Sequence, residues 1–403
     1  MSILQKKQIY LDNAASTPVD PLVKKEIIKA VEIYGNPSSF NNIGRMAKKE
    51  VVKSRQNVAR FIGAKQEEVI FTSSGSEANN MAILGLANSQ SRPLEIITTP
   101  IEHPSVLEPI KELGDRGWKV TYLKVDSEGL IDLDDLKKKL NSRVFLISVI
   151  YANNEIGTIQ PIKKIARVIS DFRNSKLVNS NLGGQLSIAG CKLFFHVDAC
   201  QAAGYLDVNV NNLGVDLLTF NGAKIYGPKG IGVLYSRRGV PLRPLIFGGD
   251  QEHGFRAGTE NLPAIVGLAK AIFLIKKEDG HRPAKLRDYF LDKIQRAIPD
   301  IKINGSLGDR RLSNNINLSI SGLDSESLLL ELDKYGIYAG SGSACTAHSI
   351  EPSHVLKAIG VESKYLTGVL RLSLGRQTTK KNVDYVLEVL PRVVTDLYKR
   401  YKK

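Results

Sequence analysis

Lys224 follows an apolar run, Leu217–Phe220, within Asn221-Gly222-Ala223-Lys224-Ile225-Tyr226-Gly227-Pro228. Small and apolar neighbours strip water from an amine and favour the uncharged form that attacks a carbonyl, as a Schiff base requires. Read alone, the residue is more often a surface charge. Asp198 ends a second apolar run, Phe194-Phe195-His196-Val197-Asp198. At the carboxyl edge of a parallel sheet such a carboxylate meets ligands. Partial burial demands a cationic partner, and a protonated pyridine nitrogen would be one. A loop residue or helix cap is the plainer reading.

Ser73-Ser74-Gly75-Ser76-Glu77 lies between a strand pattern and a helix pattern. Free N–H groups at a helix start attract anions, although Ser74 and Glu77 also spell a capping box. Gly340-Ser341-Gly342-Ser343-Ala344-Cys345-Thr346 places a thiol in a loop of small residues, which gives the access a reactive cysteine needs. Cys191 and Cys200 are expected to be buried and inert. The histidines and cysteines lack zinc-ligand spacing, so no metal is expected. The glycines of Gly227–Gly232 are out of order for a dinucleotide loop, and no phosphate-loop motif occurs.

These residues need a frame. Val69–Thr72, Glu95–Thr99, Val144–Tyr151, Leu193–Val197, Leu217–Phe220 and Ile231–Tyr235 predict strands, and the unbroken apolar run of Val144–Tyr151 predicts burial on both faces. Between them fall helix patterns: one from Glu77 with Ala78, Met81, Ala82 and Gly85 on one face, and one opened by Pro161 with Ile162, Ile165, Ile169 and Phe172. Alternation of this kind implies an α/β fold with a mainly parallel central sheet. Beyond about residue 262 the pattern changes to helices, the strands Ile316–Ile320 and Leu370–Leu374, and a helix at Ser325–Tyr335 ended by Gly336. The expected division is a large domain of residues 16–262 and a smaller α+β domain of 1–15 with 263–403. Asn174–Lys192, rich in Asn, Ser and Gly, is expected to be an inserted loop.

The chain has 403 residues, 42% hydrophobic and 24% charged, as in ordinary globular proteins of two domains. No apolar run is long enough to cross a bilayer, and no signal peptide is recognisable. Three cysteines without close pairs argue against a disulfide framework and for a reducing cytoplasm. A net charge of +15 could mark a nucleic-acid surface, but the lysines are scattered over helix faces and element ends. A solvated basic surface is therefore expected, without direct nucleic-acid binding.

Further segments stand in a fixed order: Tyr10-Leu11-Asp12-Asn13-Ala14-Ala15, Gly35-Asn36-Pro37-Ser38-Ser39, Ile101-Glu102-His103, Asn153-Asn154-Glu155-Ile156-Gly157, Arg256-Ala257-Gly258-Thr259-Glu260-Asn261 and Arg371-Leu372-Ser373-Leu374-Gly375-Arg376. Together with the segments around Asp198, Lys224 and Cys345, they cover nearly the whole chain. The set resembles the group I cysteine desulfurases of the IscS/NifS type, within the class-V aminotransferases. The resemblance implies a fold-type-I transferase that binds pyridoxal 5'-phosphate, works as a homodimer and converts L-cysteine to L-alanine. By matched position, Lys224 would carry the cofactor covalently and Asp198 would hold its pyridine nitrogen. His103 would stack on the ring and act as acid and base. Asn154 would orient ring and substrate, and Gln201 would contact the phenolic oxygen. Gly75, Ser76 and Asn221 would hold the phosphate, joined by Thr259 of the neighbouring subunit. Arg371 would clamp the substrate carboxylate. Cys345 would take the sulfur as a persulfide and pass it to an acceptor protein, such as an iron–sulfur scaffold or a tRNA-thiolation enzyme. Asn221 and Ala223 depart from the serine and histidine usual in the family, and the 174–192 segment is longer than usual. Two other readings remain open: another reaction on this cofactor fold, such as selenocysteine lyase or an aminotransferase, and a non-catalytic sulfur-relay or nucleic-acid-binding protein.

Overall fold

The computed structural model describes residues 8–181, 192–342 and 352–401. The described strands, in chain order, are β1 (Ile9–Tyr10), β2 (Val69–Thr72), β3 (Glu95–Thr98), β4 (Lys119–Tyr122), β5 (Val144–Ile150), β6 (Phe194–Asp198), β7 (Leu217–Asn221), β8 (Gly232–Ser236), β9 (Ile301–Ile303), β10 (Asn315–Ile320), β11 (Ile337–Tyr338) and β12 (Val369–Ser373). The described α-helices are α1 (Pro21–Val31), α2 (Asn42–Ile62), α3 (Gly75–Asn80), α4 (Pro104–Asp115), α5 (Leu133–Lys139), α6 (Ile162–Asn181), α7 (Val210–Leu213), α8 (Leu262–Phe273), α9 (His281–Ala297), α10 (Ser325–Lys334), α11 (His354–Ala358) and α12 (Lys380–Tyr401).

Seven strands form one sheet in the order β2-β8-β7-β6-β5-β3-β4. Strands β4, β3, β5, β6 and β7 are parallel, and β8 runs against both of its neighbours. The sheet is thus mainly parallel, as expected. Every residue of β5 and β6 is buried, because both faces of the sheet are covered. Alternation along β6 divides its side chains between two layers. Phe195 and Val197 join a core that also takes in α2, α6 and α8, while Phe194 joins one built with Ala78, Met81, Val106 and Ile110. A period of two therefore turns Asp198 towards the side occupied by α3 and α4.

A separate apolar core lies around the antiparallel sheet β12-β10-β9 and the helices α9, α10 and α12. Ile9 and Leu11 belong to it, and β1 pairs with β11. Residues 12–17 then cross to the large sheet. Asn13 Nδ2 donates to Ser373 O at 2.7 Å, and Thr17 N donates to Ala223 O at 2.8 Å. Helix α8 packs on α1 and α2 and contributes Leu262, Ile265, Leu268 and Ile272 to the first core. The change of pattern expected at residue 262 therefore falls at the start of a helix belonging to the large sheet.

Two local expectations need correction. The helix expected from Glu77 begins at Gly75, and it loosens into a π turn over Met81–Gly85. The segment from Asn174 does not begin a loop, since α6 runs on to Asn181. Ile162, Ile165 and Ile169 anchor its first turns, and once a helix is nucleated each added residue costs little, even for Asn and Ser. The rest of the expected insertion, 182–191, lies outside the described residues.

A buried ion pair fastens the connection after β8. Arg55 Nη1 and Nη2 donate to Glu252, at 2.6 and 2.7 Å, and Phe71 N donates to the same carboxylate at 2.8 Å. Glu252 adopts φ 48, a left-handed backbone that carries strain outside glycine. Glu252→Ala should leave Arg55 buried and unpaired and destabilise the protein by about 3–5 kcal/mol. Chemical denaturation should report this as a lower midpoint. An unchanged midpoint would show that water reaches the guanidinium.

Candidate active site

The carboxyl edges of β5, β6 and β7 open into a cavity of about 310 Å³. Strand β6 ends in Asp198, and β7 ends in Asn221 before a single 3₁₀ turn, Gly222–Lys224. The start of α3 brings Gly75 and Ser76, the N-cap of α4 brings His103, the turn after β5 brings Asn154, and β12 of the other core brings Arg371. Gln201 and Ala223 also line the space. Ligands of parallel α/β sheets bind at this edge, and most of the residues expected from the sequence converge there. Thr259 does not line this cavity. It lies in a neighbouring depression with Phe71, Ser73 and Arg256. Cys345 and Cys191 lie outside the described residues.

Each of these side chains is held by its surroundings. Lys224 Nζ donates to Ala14 O at 2.7 Å and also to Ala15 O. Gln201 Nε2 donates to the same Ala14 carbonyl at 2.9 Å. Asp198 is buried and accepts from Cys200 N at 2.9 Å and from Asn79 Nδ2 at 2.8 Å. Arg371 is 2% exposed, its Nη2 donating to Asp12 at 2.8 Å and its Nη1 to Asn154 O at 3.1 Å. A buried guanidinium needs such an acceptor, and Asp12 fixes its orientation. Ser74 caps α3 by accepting from Glu77 N at 3.1 Å, while Glu77 accepts from Ser73 N at 2.7 Å. The capping box is thus present, shifted by one residue on its return arm.

The cavity suits an anionic ligand with a flat ring. A Cβ on Gly75 would sit 2.7 Å from Cys200 Sγ and 2.9 Å from Asn221 Nδ2, so only the bare main chain fits against these groups. Asn221 Oδ1 and Arg371 Nε are buried without hydrogen-bond partners among the described residues. Buried polar atoms are seldom left so, and a polar ligand would satisfy them. A primary amine, a buried carboxylate, an imidazole and a guanidinium facing one space match the donor set that a phosphorylated pyridine aldehyde and an amino acid require. The residues present fit pyridoxal phosphate.

Several contributors were not foreseen. Asn79 and Ser105 join the network beneath Asp198 and His103; the only signal was a polar residue on the apolar face around Ala78 and Met81. Cys200 is half-buried and lines the cavity, where a core position had been expected. Being two residues past Asp198 places it in the turn above the sheet. Burial, then the Asp198 charge, pushes its thiol well above the usual range, which disfavours the thiolate. His196 is buried between Ser148 and Thr219, and burial lowers it to about 4.

Glu102 is fully buried beside His103. Thr99 Oγ1 donates to its Oε1 at 2.6 Å, and its Oε2 has no partner among the described residues. Burial pushes this carboxyl up to about 8, the Thr99 bond offsetting only part of the effect. The folded protein therefore holds a proton that the unfolded chain releases near its ordinary value of 4.5. Stability should fall as pH rises from about 4.5 to about 8, by at most about 1.4 kcal/mol per pH unit. Glu102→Gln should flatten that slope, so that the variant melts above the wild type at pH 8 and the gap closes near pH 4.5. Parallel melting curves across this range would show that Glu102 is ionised in the fold.

Comparison with known proteins agrees with this geometry. The model of the aminotransferase class-V family matches residues 9–178 and 185–386. The chain is 44% identical over 401 residues to a cysteine desulfurase IscS of Dictyoglomus turgidum, covering 97% of this chain and 96% of that one. It is 42% identical over 394 residues to a cysteine desulfurase IscS of Clostridium botulinum, covering 96% and 94%. A solved structure described as a NifS-like protein superposes with a TM-score of 0.87 at 35% identity, over 97% of this chain and 100% of that chain.

Proposed function

The chain belongs to the class-V aminotransferase family, and from that premise we infer that Lys224, Asp198, His103 and Arg371 are the working groups of a cysteine desulfurase. The protein is a pyridoxal-phosphate-dependent enzyme of fold type I that takes sulfur from L-cysteine. Relatives with this activity match nearly the whole chain, which weighs against selenocysteine lyase, an aminotransferase or a non-catalytic relay.

The observation that carries the residue assignment is the convergence of Lys224, Asp198 and Arg371 on one cavity from three elements and two cores. Lys224 is the amine that would hold the cofactor covalently, and the carbonyls of Ala14 and Ala15 set the direction of its Nζ. Asp198 would hold the ring nitrogen, and the Gly75–Ser76 main chain with Asn221 would hold the phosphate. Gln201 and Asn154, which line the same cavity, would contact the ring. Bound pyridoxal phosphate supplies an electron sink that stabilises negative charge at the substrate carbon next to the carboxylate. His103 moves protons at that carbon. Arg371, already oriented by Asp12, offers the substrate carboxylate its Nε, which has no partner among the described residues. The Cys345 thiolate attacks the substrate sulfur. An S–S bond forms as the C–S bond breaks, and the electron pair of the broken bond goes to carbon, which is protonated to the methyl group of alanine.

The finer reading is that the enzyme is a cytoplasmic homodimer feeding an acceptor such as an iron–sulfur scaffold or a tRNA-thiolation enzyme. Thr259 lies outside the cavity of its own chain, which supports its service to the phosphate site of a second subunit. Relatives named IscS support the sulfur-acceptor role. No described helix is long and apolar enough to cross a membrane. We further infer two domains, with the large one extending through α8 because that helix packs into its core.

Lys224→Ala should end alanine release, and borohydride should no longer fix cofactor to the chain. Cys345→Ser should keep the cofactor and cysteine binding but lose labelled sulfur from the protein. Label recovered on Cys200 or Cys191 of the wild type, or borohydride labelling at Lys229, would refute these assignments.

A further inference from the structure

Asn79 and Ser105 have no part in the roles above, yet they connect two groups that do. Asn79 Nδ2 donates to Asp198 Oδ2 at 2.8 Å and to Ser105 Oγ at 2.8 Å. Ser105 Oγ lies 2.8 Å from His103 Nδ1, and Ser105 N donates to the same ring nitrogen at 3.1 Å. The result is one line of hydrogen bonds from Asp198 through Asn79 and Ser105 to His103.

The line has a direction. An ionised carboxylate only accepts, so Asp198 turns the nitrogen of the Asn79 amide towards itself. One amide hydrogen goes to Asp198 and the other to Ser105. Ser105 Oγ accepts from Asn79 and keeps its own proton for His103 Nδ1. The backbone N–H of Ser105 can only donate, and it reaches the same conclusion independently. Both Ser105 donors therefore converge on the single lone pair of Nδ1, and the proton of the neutral ring sits on Nε2. The orientation has a visible cost: Asn79 is 1% exposed, and its Oδ1 is left without a partner among the described residues. Packing alone gives no reason to strand a buried acceptor, whereas the two donor bonds do.

We propose that Asn79 and Ser105 are positioning residues of the desulfurase reaction, which transmit the charge of Asp198 to His103 and hold its proton on Nε2. The proposal rests on the acid–base role assigned to His103 above. A ring flip would break two bonds to Nδ1 at once, so the imidazole presents one nitrogen, with one protonation pattern, to the reacting carbon. The carboxylate facing the cofactor nitrogen and the group that moves the substrate proton thus become one hydrogen-bonded unit.

The test uses the holoenzyme labelled with nitrogen-15 at histidine, with His103→Gln identifying the His103 signals. The wild type should show His103 with its proton on Nε2 and a strongly hydrogen-bonded Nδ1. Ser105→Ala and Asn79→Ala should each shift the Nδ1 signal towards that of a weaker acceptor, and Ser105→Thr should restore it. At saturating cofactor, each alanine variant should lower kcat about tenfold with KM little changed, the worth of one hydrogen bond. The double variant should be no slower than the slower single, because both act through one chain. A proton on Nδ1 in the wild type, an unmoved Nδ1 signal in both variants, unchanged kcat, losses confined to KM, or losses that multiply in the double variant would each overturn the proposal. Ser105→Ala removes only one oxygen at the half-buried start of α4, so it decides the matter if Asn79→Ala fails to fold. Absence of alanine release from the wild type would instead overturn the functional reading, while the nitrogen signals would still judge the relay.

Discussion

A carboxylate buried at the end of a strand covered on both faces is the constraint on which the site depends. Asp198 cannot stay there as a charge unless donors replace the water it lost. Two are supplied, the N–H of Cys200 from its own turn and the amide of Asn79 from α3. The second demand reaches beyond β6. It requires a polar side chain on α3 beside Ala78, which with Met81 of the following turn packs into the core. It also fixes α3 against the sheet at the height where its first residues face the cavity. Ser105, bonded to the same amide, ties the first turn of α4 to this point. One buried charge thus sets the relative placement of two helix starts, and with them Gly75 and His103.

A second constraint joins the two cores. Arg371 comes from β12 and is buried beside the cavity, where its charge needs Asp12. Asp12 lies in the crossing segment, whose next carbonyls, those of Ala14 and Ala15, receive Lys224 Nζ. Each bond spans more than two hundred positions of sequence. The amine, the guanidinium and the strap between them hold one another, so the cavity exists only when both cores are folded and docked. Gly340, whose Cβ would come 3.0 Å from Arg371 Nη2, lets the chain leading towards Cys345 pass close to this cluster.

The sequence by itself determined the sheet, because apolar runs such as Val144–Ile150 and Phe194–Asp198 have only one way to be buried on both sides. It also pointed to residues that the fold brings to one cavity, because Lys224, Asp198, His103 and Arg371 each stand at the end of an element or within a motif of distinctive spacing. It misjudged the stretch from Asn174, where composition pointed to a loop and the anchored first turns of α6 carried the helix onward. It placed the division of the chain at residue 262, where the strand pattern ends, although α8 buries its apolar face in the first core. Only the tertiary structure decided the network linking these groups. Asn79 carries only the faint signal of a polar residue beside Ala78 and Met81, and Ser105 carries none, since a serine in the first turn of a helix is commonplace. Their meaning comes from Asp198, more than ninety residues away. Hydrogen bonds between distant segments depend on angles and distances fixed by packing, and nothing in the neighbouring sequence records them.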